Sequence, residues 1–171
     1  MEGLYCECCG AKLQKYHVKI TPMIVNALIK FKQAVQDKNR NEIHLLKDMK
    51  GKAYELTRHE WNNFSRQRFL ALAVKVENKP GYWLLTARGN AFLKGEIGIP
   101  ESVTIFRNKI VDRSEKIVFI NKVIGSVPYL ETKDDIVYQD VKQEEAIEVM
   151  KKKKSTWRFD KERNVYVEEV K

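Results

Sequence analysis

The sequence has no long apolar run and no leader-like beginning. No stretch approaches the roughly 20 consecutive apolar residues that a membrane span requires. The first ten residues also lack the basic flank and apolar stretch of a secretory signal. These absences predict a cytoplasmic protein without a membrane partner. Because thiols stay reduced in that compartment, we expect the three cysteines to be free or to bind metal rather than to form disulfides.

Signatures of common catalytic sites are also missing. The chain contains no phosphate-binding glycine loop, no Gly-x-Ser-x-Gly elbow and no dinucleotide fingerprint. His59-Glu60 begins like the His-Glu-x-x-His zinc motif, but the second histidine is replaced by Asn63. Asp134-Asp135 is a pair of adjacent carboxylates that point apart on a strand or helix. The sequence therefore predicts a protein that is not an enzyme, with an enzyme subunit such as a nuclease as a third alternative.

Positive charge is the clearest feature that the sequence does have. The 171 residues include 32 lysines and arginines against 23 aspartates and glutamates, which gives a formal net charge of +9. The whole excess lies within residues 1–130, and residues 131–171 are close to neutral. Such an excess favours a polyanionic partner, and nucleic acid in particular. The alternative is a basic surface that is merely solvated.

Apolar spacing predicts a first helix after Thr21-Pro22, a typical pair of N-cap and first helical residue. The apolar residues recur at intervals of three and four: Ile24, Ala27, Leu28, Phe31, Ala34 and Val35. They predict one buried stripe, with Lys30 and Lys32 turned away from it. Residues 42–46 then predict a short strand.

A second helix is predicted over residues 57–70. Thr57 and Glu60 match the Thr-x-x-Glu capping box, in which each side chain accepts from the other residue's backbone amide. One face is predicted to carry Trp61, Phe64 and Arg68, and the other to carry Arg58, His59, Asn62, Asn63 and Arg66. The aromatic residues Trp61 and Phe64 are interpreted as core.

A hairpin and a third helix are predicted next. Residues 72–76 and 82–85 form its strands, the segment 78–81 its turn, and Thr86 caps a helix that ends near Lys94. The remainder is predicted to contain strands at 103–110, 116–120 and 136–141, a turn at 112–115, a helix at 143–154, and a terminal hairpin around 160–164.

This order of elements resembles that of winged helix-turn-helix regulators of the MarR type. Phe69-Leu70-Ala71-Leu72-Ala73-Val74 leads into the hairpin, and Leu85-Thr86-Ala87-Arg88-Gly89 reproduces a Leu-Thr-x-x-Gly motif. The resemblance covers about residues 22–95. We therefore expect an α+β fold with a short cysteine knuckle at 1–20, a winged-helix domain at 21–99, and a β-rich extension with a helix and a terminal hairpin at 100–171.

The resemblance implies that residues 57–70 form a recognition helix that enters the major groove, while the hairpin contacts phosphates. Arginine suits guanine and asparagine suits adenine through paired hydrogen bonds. The implied nucleic-acid-binding residues are Arg58, His59, Asn62, Asn63, Arg66, Lys75, Lys79 and Arg88. Only residues 46–53, which include Gly51, are available for the helix that normally precedes the recognition helix, so we expect that helix to be one turn long or absent.

The function implied is that of a non-enzymatic protein that binds nucleic acid, duplex DNA above all, as a regulator or accessory factor. A protein-interaction module, such as a phage factor that inhibits a host protein, is the alternative. A Cys-x-x-Cys-Gly start combined with a segment like Leu56–Phe64 is similar to small uncharacterised phage and bacterial proteins. A homodimer is a further possibility that the sequence leaves open.

The cysteines Cys6-Glu7-Cys8-Cys9, followed by Gly10, resemble one knuckle of a zinc ribbon. The Cys6–Cys9 spacing lets two thiolates bind one metal ion, and glycine permits the tight turn behind them. One knuckle is half of a tetrahedral site, and the chain has no second Cys-x-x-Cys. Three interpretations stay open: a Zn²⁺ site formed by Cys6, Cys9, His17 and a fourth ligand, a site shared between two chains, and a knuckle without metal.

Overall fold

The computed structural model describes residue 10 and residues 14–107, 109–130, 133, 135–141, 156–160 and 165–169. Within these ranges the fold is α+β, as expected. The helices are α1 (Pro22–Lys38), α2 (Arg58–Asn63), α3 (Ala87–Leu93) and α4 (Ile120–Ile124), with a 3₁₀ helix at Phe64–Leu70. The strands are β1 (Tyr16–Lys19), β2 (Glu42–His44), β3 (Ala73–Lys75), β4 (Tyr82–Leu85), β5 (Ile99–Pro100), β6 (Ser102–Phe106), β7 (Lys109–Arg113), β8 (Ile117–Val118), β9 (Thr156–Asp160) and β10 (Val165–Glu169). None of the helices in the described ranges is long and apolar enough to cross a bilayer.

Helix α1 is the central element of the core, and its predicted start is confirmed. The Thr21 hydroxyl accepts a hydrogen bond from the Ile24 amide at 3.4 Å, and Pro22 is the first helical residue. The predicted exposure of Lys32 is wrong, because its side chain is only 2% exposed. Helix α3 and residues 136–138 cover that side of α1, and the Lys32 amine donates to Asn90 Oδ1 (2.9 Å) and to the Tyr138 hydroxyl. Burial, with a smaller contribution from nearby Lys94, lowers the pKa of Lys32 to about 8.

An antiparallel sheet in the order β2-β4-β3 packs against α1 and the 3₁₀ helix. The rings of Phe31, Phe64 and Trp83 join these elements, with centroid distances of 5.2 Å and 5.0 Å on either side of Phe64. Strand β2 ends at His44, two residues earlier than predicted. It ends there because the His44 ring Nδ1 accepts from the amides of Leu46 and Lys47 and so turns the chain.

Residues 45–54 form hydrogen-bonded turns and contain no helix. The amide of Asp48 donates to the carbonyl of His44 at 2.9 Å, and that of Lys50 to the carbonyl of Leu46 at 3.2 Å. Gly51 then adopts a φ of 73° and interrupts any continuation. The expectation that a helix before residue 57 is one turn long or absent is therefore confirmed.

A second antiparallel sheet, in the order β1-β6-β7, joins the start of the described chain to the region after residue 100. Val18 of β1 and Val103 of β6 belong to the same hydrophobic core as Leu28 of α1. Strand pairing and core packing thus connect residues on both sides of the two boundaries that were expected, after residue 20 and after residue 99.

Several expectations for residues 103–141 are wrong. Residues 103–110 are not one strand, because the chain turns at Arg107, whose φ is 49°, and returns as β7. The turn expected at 112–115 is wrong in its first half, because Asp112 and Arg113 are strand residues that pair with Thr104 and Val103. Only two residues of the predicted strand at 116–120 are extended, and the unpredicted helix α4 begins at Ile120. The predicted strand at 136–141 is absent, and Gln139 makes only an isolated bridge to Thr86. The pairing cannot continue along the chain because helix α3 begins directly after Thr86.

The terminal hairpin is confirmed, because β9 and β10 pair in antiparallel register. The predicted helix at 143–154 lies outside the described residues.

Candidate nucleic-acid interface

The segment 57–70 begins with the predicted capping box. The Glu60 amide donates to the Thr57 hydroxyl at 3.3 Å, and the Thr57 amide donates to Glu60 Oε2 at 2.7 Å. Lys30 of α1 donates to the same carboxylate oxygen at 2.7 Å. Glu60 is only 7% exposed, so the one acidic side chain of this segment points into the protein and ties the segment to α1.

The Glu60 carboxylate makes the stability of this anchor depend on pH. Burial raises the pKa of Glu60, but the hydrogen bonds from Lys30 and Thr57 outweigh it and leave the pKa below its usual value. Its stabilisation is therefore present above the unfolded pKa of about 4.3 and is lost as the pH falls through the lower folded value. We expect Glu60→Gln to reduce the free energy of unfolding by about 1–2 kcal/mol at pH 7 and by clearly less at pH 3.

Urea denaturation of both proteins at the two pH values measures this difference. Glu96→Gln is the matched control, because Glu96 is exposed and its contact with Lys94 is 3.8 Å long. An equal loss for Glu60→Gln at pH 7 and pH 3 would contradict the role given to the carboxylate.

The helix changes its period in the middle of this segment, so the prediction of a single α-helix over 57–70 is wrong. Helix α2 ends at Asn63, and a 3₁₀ helix of three residues per turn follows. That spacing stacks Phe64, Gln67 and Leu70 on one inner row, and all three are buried. Gln67 fixes the row to α1, because its side-chain amide donates to the Ile24 carbonyl at 2.7 Å.

The other side of the segment faces outward and carries most of the residues expected to read nucleic acid. The exposed members are Arg58, His59, Asn62 and Arg66. Asn63 differs from them, since it is half-buried and its side-chain amide donates to the His59 carbonyl at 2.8 Å. Trp61 is 42% exposed, so its expected place in the core is wrong. The short α2 turns Glu60 and Phe64 inward and leaves Trp61 outside.

The two hairpin lysines expected to contact phosphate have different surroundings. Lys79, in the turn between β3 and β4, is exposed and forms an ion pair with Glu42 Oε2 at 2.5 Å. Lys75 is half-buried, with its amine 5.6 Å from the centroid of the Trp83 ring. Burial, reinforced by nearby Arg68, lowers the pKa of Lys75. Among the described residues Lys75 thus has no carboxylate partner, whereas Lys79 is already paired.

Arg88 lies half-buried in the first turn of α3. Burial lowers the pKa of Arg88, and Arg113 of β7 adds to the effect. Its Nε atom has no hydrogen-bond partner among the described residues. The place of Arg88 in an interface with residues 58–66 stays a prediction.

Arg68 is the basic residue that the sequence prediction missed, because it was assigned to the face of Phe64. The 3₁₀ turn moves Arg68 away from that buried row, and its guanidinium lies 4.4 Å above the centroid of the Phe69 ring. Burial lowers the pKa of Arg68, and its buried Nε atom has no partner in the described part of the chain. No signal in the sequence marks the change of helical period that produces this position.

The expected Zn²⁺ site falls largely outside the described residues, which exclude Cys6 and Cys9. His17 lies in β1 with an exposed side chain, and its Nδ1 is 3.1 Å from the Thr104 hydroxyl. The described residues contain no group of three His, Cys, Asp or Glu side chains that could hold a metal ion. The zinc site therefore stays a prediction.

Comparison of the chain with protein-family models, curated proteins and solved structures finds no match. A function is therefore proposed from the side chains on the outward face of residues 57–68 and on the β3–β4 hairpin.

Proposed function

We propose that this protein is a non-enzymatic nucleic-acid-binding protein that contacts duplex DNA through residues 58–66 and the β3–β4 hairpin. The observation that carries the proposal is the separation of charge in this segment. Arg58 and Arg66 point outward without an acidic partner in the described structure, whereas Glu60 is turned inward to Lys30. A surface that exposes cations and withdraws its carboxylate attracts a polyanion.

The connectivity supports a winged-helix interpretation. Helix α1, strand β2, the 57–70 segment, the β3–β4 hairpin and helix α3 follow one another, and the sheet order is β2-β4-β3. This arrangement places the 57–70 segment and the hairpin next to each other in the fold. A winged-helix protein uses such a pair of elements to contact the major groove and the adjacent backbone.

The proposed mechanism is non-covalent. Arg58 and Asn62 lie four residues apart on α2, which corresponds to about 6 Å along the helix axis and is close to the rise of two base pairs. The guanidinium of Arg58 can donate two hydrogen bonds to guanine, and the amide of Asn62 can pair with adenine. Arg66 and Lys75 supply charge for the phosphates, which position the protein without reading sequence.

Loss of the outward arginines should weaken binding and flatten its salt dependence. For Arg58→Ala/Arg66→Ala we expect an affinity at least about 10-fold lower for a duplex of 20–30 base pairs. The slope of log K against log salt should fall by about 0.9, because Arg66 is the phosphate contact that this variant loses, whereas Arg58 faces a base. Fluorescence anisotropy with a labelled duplex at several salt concentrations measures both quantities.

The matched control is Lys19→Ala/Lys116→Ala, which removes the same charge from a different surface. Both lysines pair with Glu101, at 3.5 Å and 3.0 Å. We expect this control to bind the duplex with nearly wild-type affinity. Equal weakening in both double variants would show that bulk charge, rather than the 58–66 face, drives binding, and a wild-type chain without duplex affinity would overturn the proposal.

The second candidate function is a protein-interaction module. It is favoured by exposed aromatic side chains, among them Trp61 at 42% and Phe119 at 43%. Large apolar side chains of this kind are enriched where proteins meet. This is the interpretation that absence of duplex affinity in the wild-type chain would favour.

A further inference from the structure

Two cations meet at the point where the 3₁₀ helix passes into strand β3. Arg68 precedes the end of the 3₁₀ helix, and Lys75 is the last residue of β3. The 3₁₀ helix packs against β3, and both side chains are half-buried. Burial, with a further contribution from the charge of Arg68, lowers the pKa of Lys75. Folding therefore brings two like charges together in a partly desolvated place.

No protein group in the described structure compensates this pair. None of the carboxylates there forms an ion pair with Arg68 or Lys75. The Nε atom of Arg68 is buried and has no hydrogen-bond acceptor among the described residues. Aromatic rings are what each cation meets: Phe69 beneath the guanidinium and Trp83 near the amine.

Such an arrangement is unfavourable in the free protein. A half-buried cation without a carboxylate loses hydration that the contacts with the two aromatic rings replace only in part, and a second cation beside it adds repulsion. Like charges held together by a fold are common where an oppositely charged ligand binds. By contrast, Lys79 in the turn of the same hairpin forms an ion pair with Glu42 of the neighbouring strand β2.

We propose that Arg68 and Lys75 form a binding notch for a phosphate group at the junction of the 57–70 segment and the β3–β4 hairpin. The planar guanidinium can donate two parallel hydrogen bonds to a phosphate, and the ammonium adds a third contact to another oxygen. The rings of Phe69 and Trp83 lie next to the two cations and shield one side of each from water. That the phosphate belongs to a nucleic-acid backbone rests on the proposed function. The notch itself requires only phosphate chemistry.

Inorganic phosphate is the probe that tests the notch without nucleic acid. The melting temperature of the full chain is measured against phosphate concentration, with chloride added to keep the ionic strength constant. A ligand that binds only the folded state raises the melting temperature by mass action. We expect phosphate to stabilise the wild-type protein beyond chloride, and Arg68→Gln and Lys75→Gln each to weaken the apparent affinity about 10-fold.

Lys116→Gln is the matched control, since it removes one positive charge at a surface where Glu101 is the partner. It should keep the wild-type response to phosphate. Arg68 and Lys75 lie on different elements, so the two substitutions need not disturb folding equally. A folding defect would be visible as a lower melting temperature in chloride. If one variant shows such a defect, the other variant provides the test. The absence of stabilisation beyond chloride in the wild type, or an unchanged response in a well-folded variant, overturns the notch.

A second arm with labelled duplex identifies the source of the phosphate. If Arg68→Gln also lowers the slope of log K against log salt by about 1, the phosphate is that of the nucleic-acid backbone. If duplex affinity is unchanged while the phosphate response is lost, the notch holds a free phosphate or a small phosphate ester. If the wild type responds to phosphate but binds no duplex, the proposed function fails and the notch stands.

Discussion

Gly89→Ala is expected to reduce the free energy of unfolding by about 3 kcal/mol or more. A Cβ atom at this position would lie 2.1 Å from the Leu72 carbonyl oxygen and 2.9 Å from the carbonyl carbon. The Leu72 carbonyl is itself held in place, because it accepts from the Thr86 amide at 3.1 Å and from the Thr86 hydroxyl at 3.0 Å. Helix α3 can avoid the clash only by moving away from the chain before β3.

Urea denaturation of Gly89→Ala beside Gly98→Ala tests this argument. At Gly98 the added Cβ would lie 2.4 Å from Ile117 Cγ2, which is nominally also a severe contact. Ile117 is 52% exposed, however, so rotation about its Cα–Cβ bond can move this methyl group into solvent. The ring of Phe119, 3.0 Å from the added Cβ, is 43% exposed and can shift as well. We therefore expect Gly98→Ala to cost about 1 kcal/mol or less. Similar losses in the two variants would contradict the distinction between a fixed backbone atom and a movable side chain.

The contacts of Thr86 and Gly89 give a structural reason for the Leu-Thr-x-x-Gly motif. The Thr86 hydroxyl accepts from the Gly89 amide at 2.9 Å and donates to the carbonyls of Ala71 and Leu72. The motif thus caps α3 and locks it against the chain that precedes the hairpin. Its presence is accounted for by the fold, and it says nothing by itself about a ligand.

Local patterns were predictable where a short segment contains both partners of an interaction. The caps at Thr21, Thr57 and Thr86 each bond an amide three residues further on, so the sequence alone locates the helix starts. The apolar stripe of α1 and the β3–β4 hairpin follow in the same way from spacing and turn residues. These features depend on neighbours in the chain and not on the tertiary structure.

Features that depend on distant partners were not predictable. Lys32 is buried because Asn90 and Tyr138, 58 and 106 residues away, supply oxygen acceptors for its amine. The pairing of β1 with β6, which crosses the expected domain boundaries, is likewise invisible in local sequence. In both cases residues far apart in the chain decide whether a side chain or strand is covered.

The candidate interface shows the same division. The outward position of Arg58, Asn62 and Arg66 follows from the capping box and the helical period at the start of the segment. The different surroundings of Lys75 and Lys79 do not, because they are set by Trp83 and by Glu42 on neighbouring strands. The candidate basic residues could thus be predicted from the sequence. The fold was needed to show which of them have an acidic partner among the described residues.

Phe64→Ala is expected to reduce the free energy of unfolding by about 3–5 kcal/mol, the range for removal of a buried aromatic ring. The Phe64 side chain is 1% exposed and lies between the rings of Phe31 and Trp83. It is also the residue at which α2 gives way to the 3₁₀ helix. Its ring therefore joins α1 and the sheet to the point where the helical period changes.

The cavity left by Phe64→Ala should affect duplex binding as well as stability, although no charge is removed. Arg58 and Arg66 lie on either side of Phe64 in the chain, so loosening this point allows the two arginines to move relative to each other, which weakens a contact that depends on their spacing. Phe64→Leu keeps most of the volume and should lose less of both properties, and Phe119→Ala removes a 43% exposed ring as the control for loss of an aromatic side chain. Urea denaturation and anisotropy on the same preparations give the two readouts. Full duplex affinity in a Phe64→Ala protein shown to be folded at the assay temperature would mean that the outward arginines act independently of the ring beneath them.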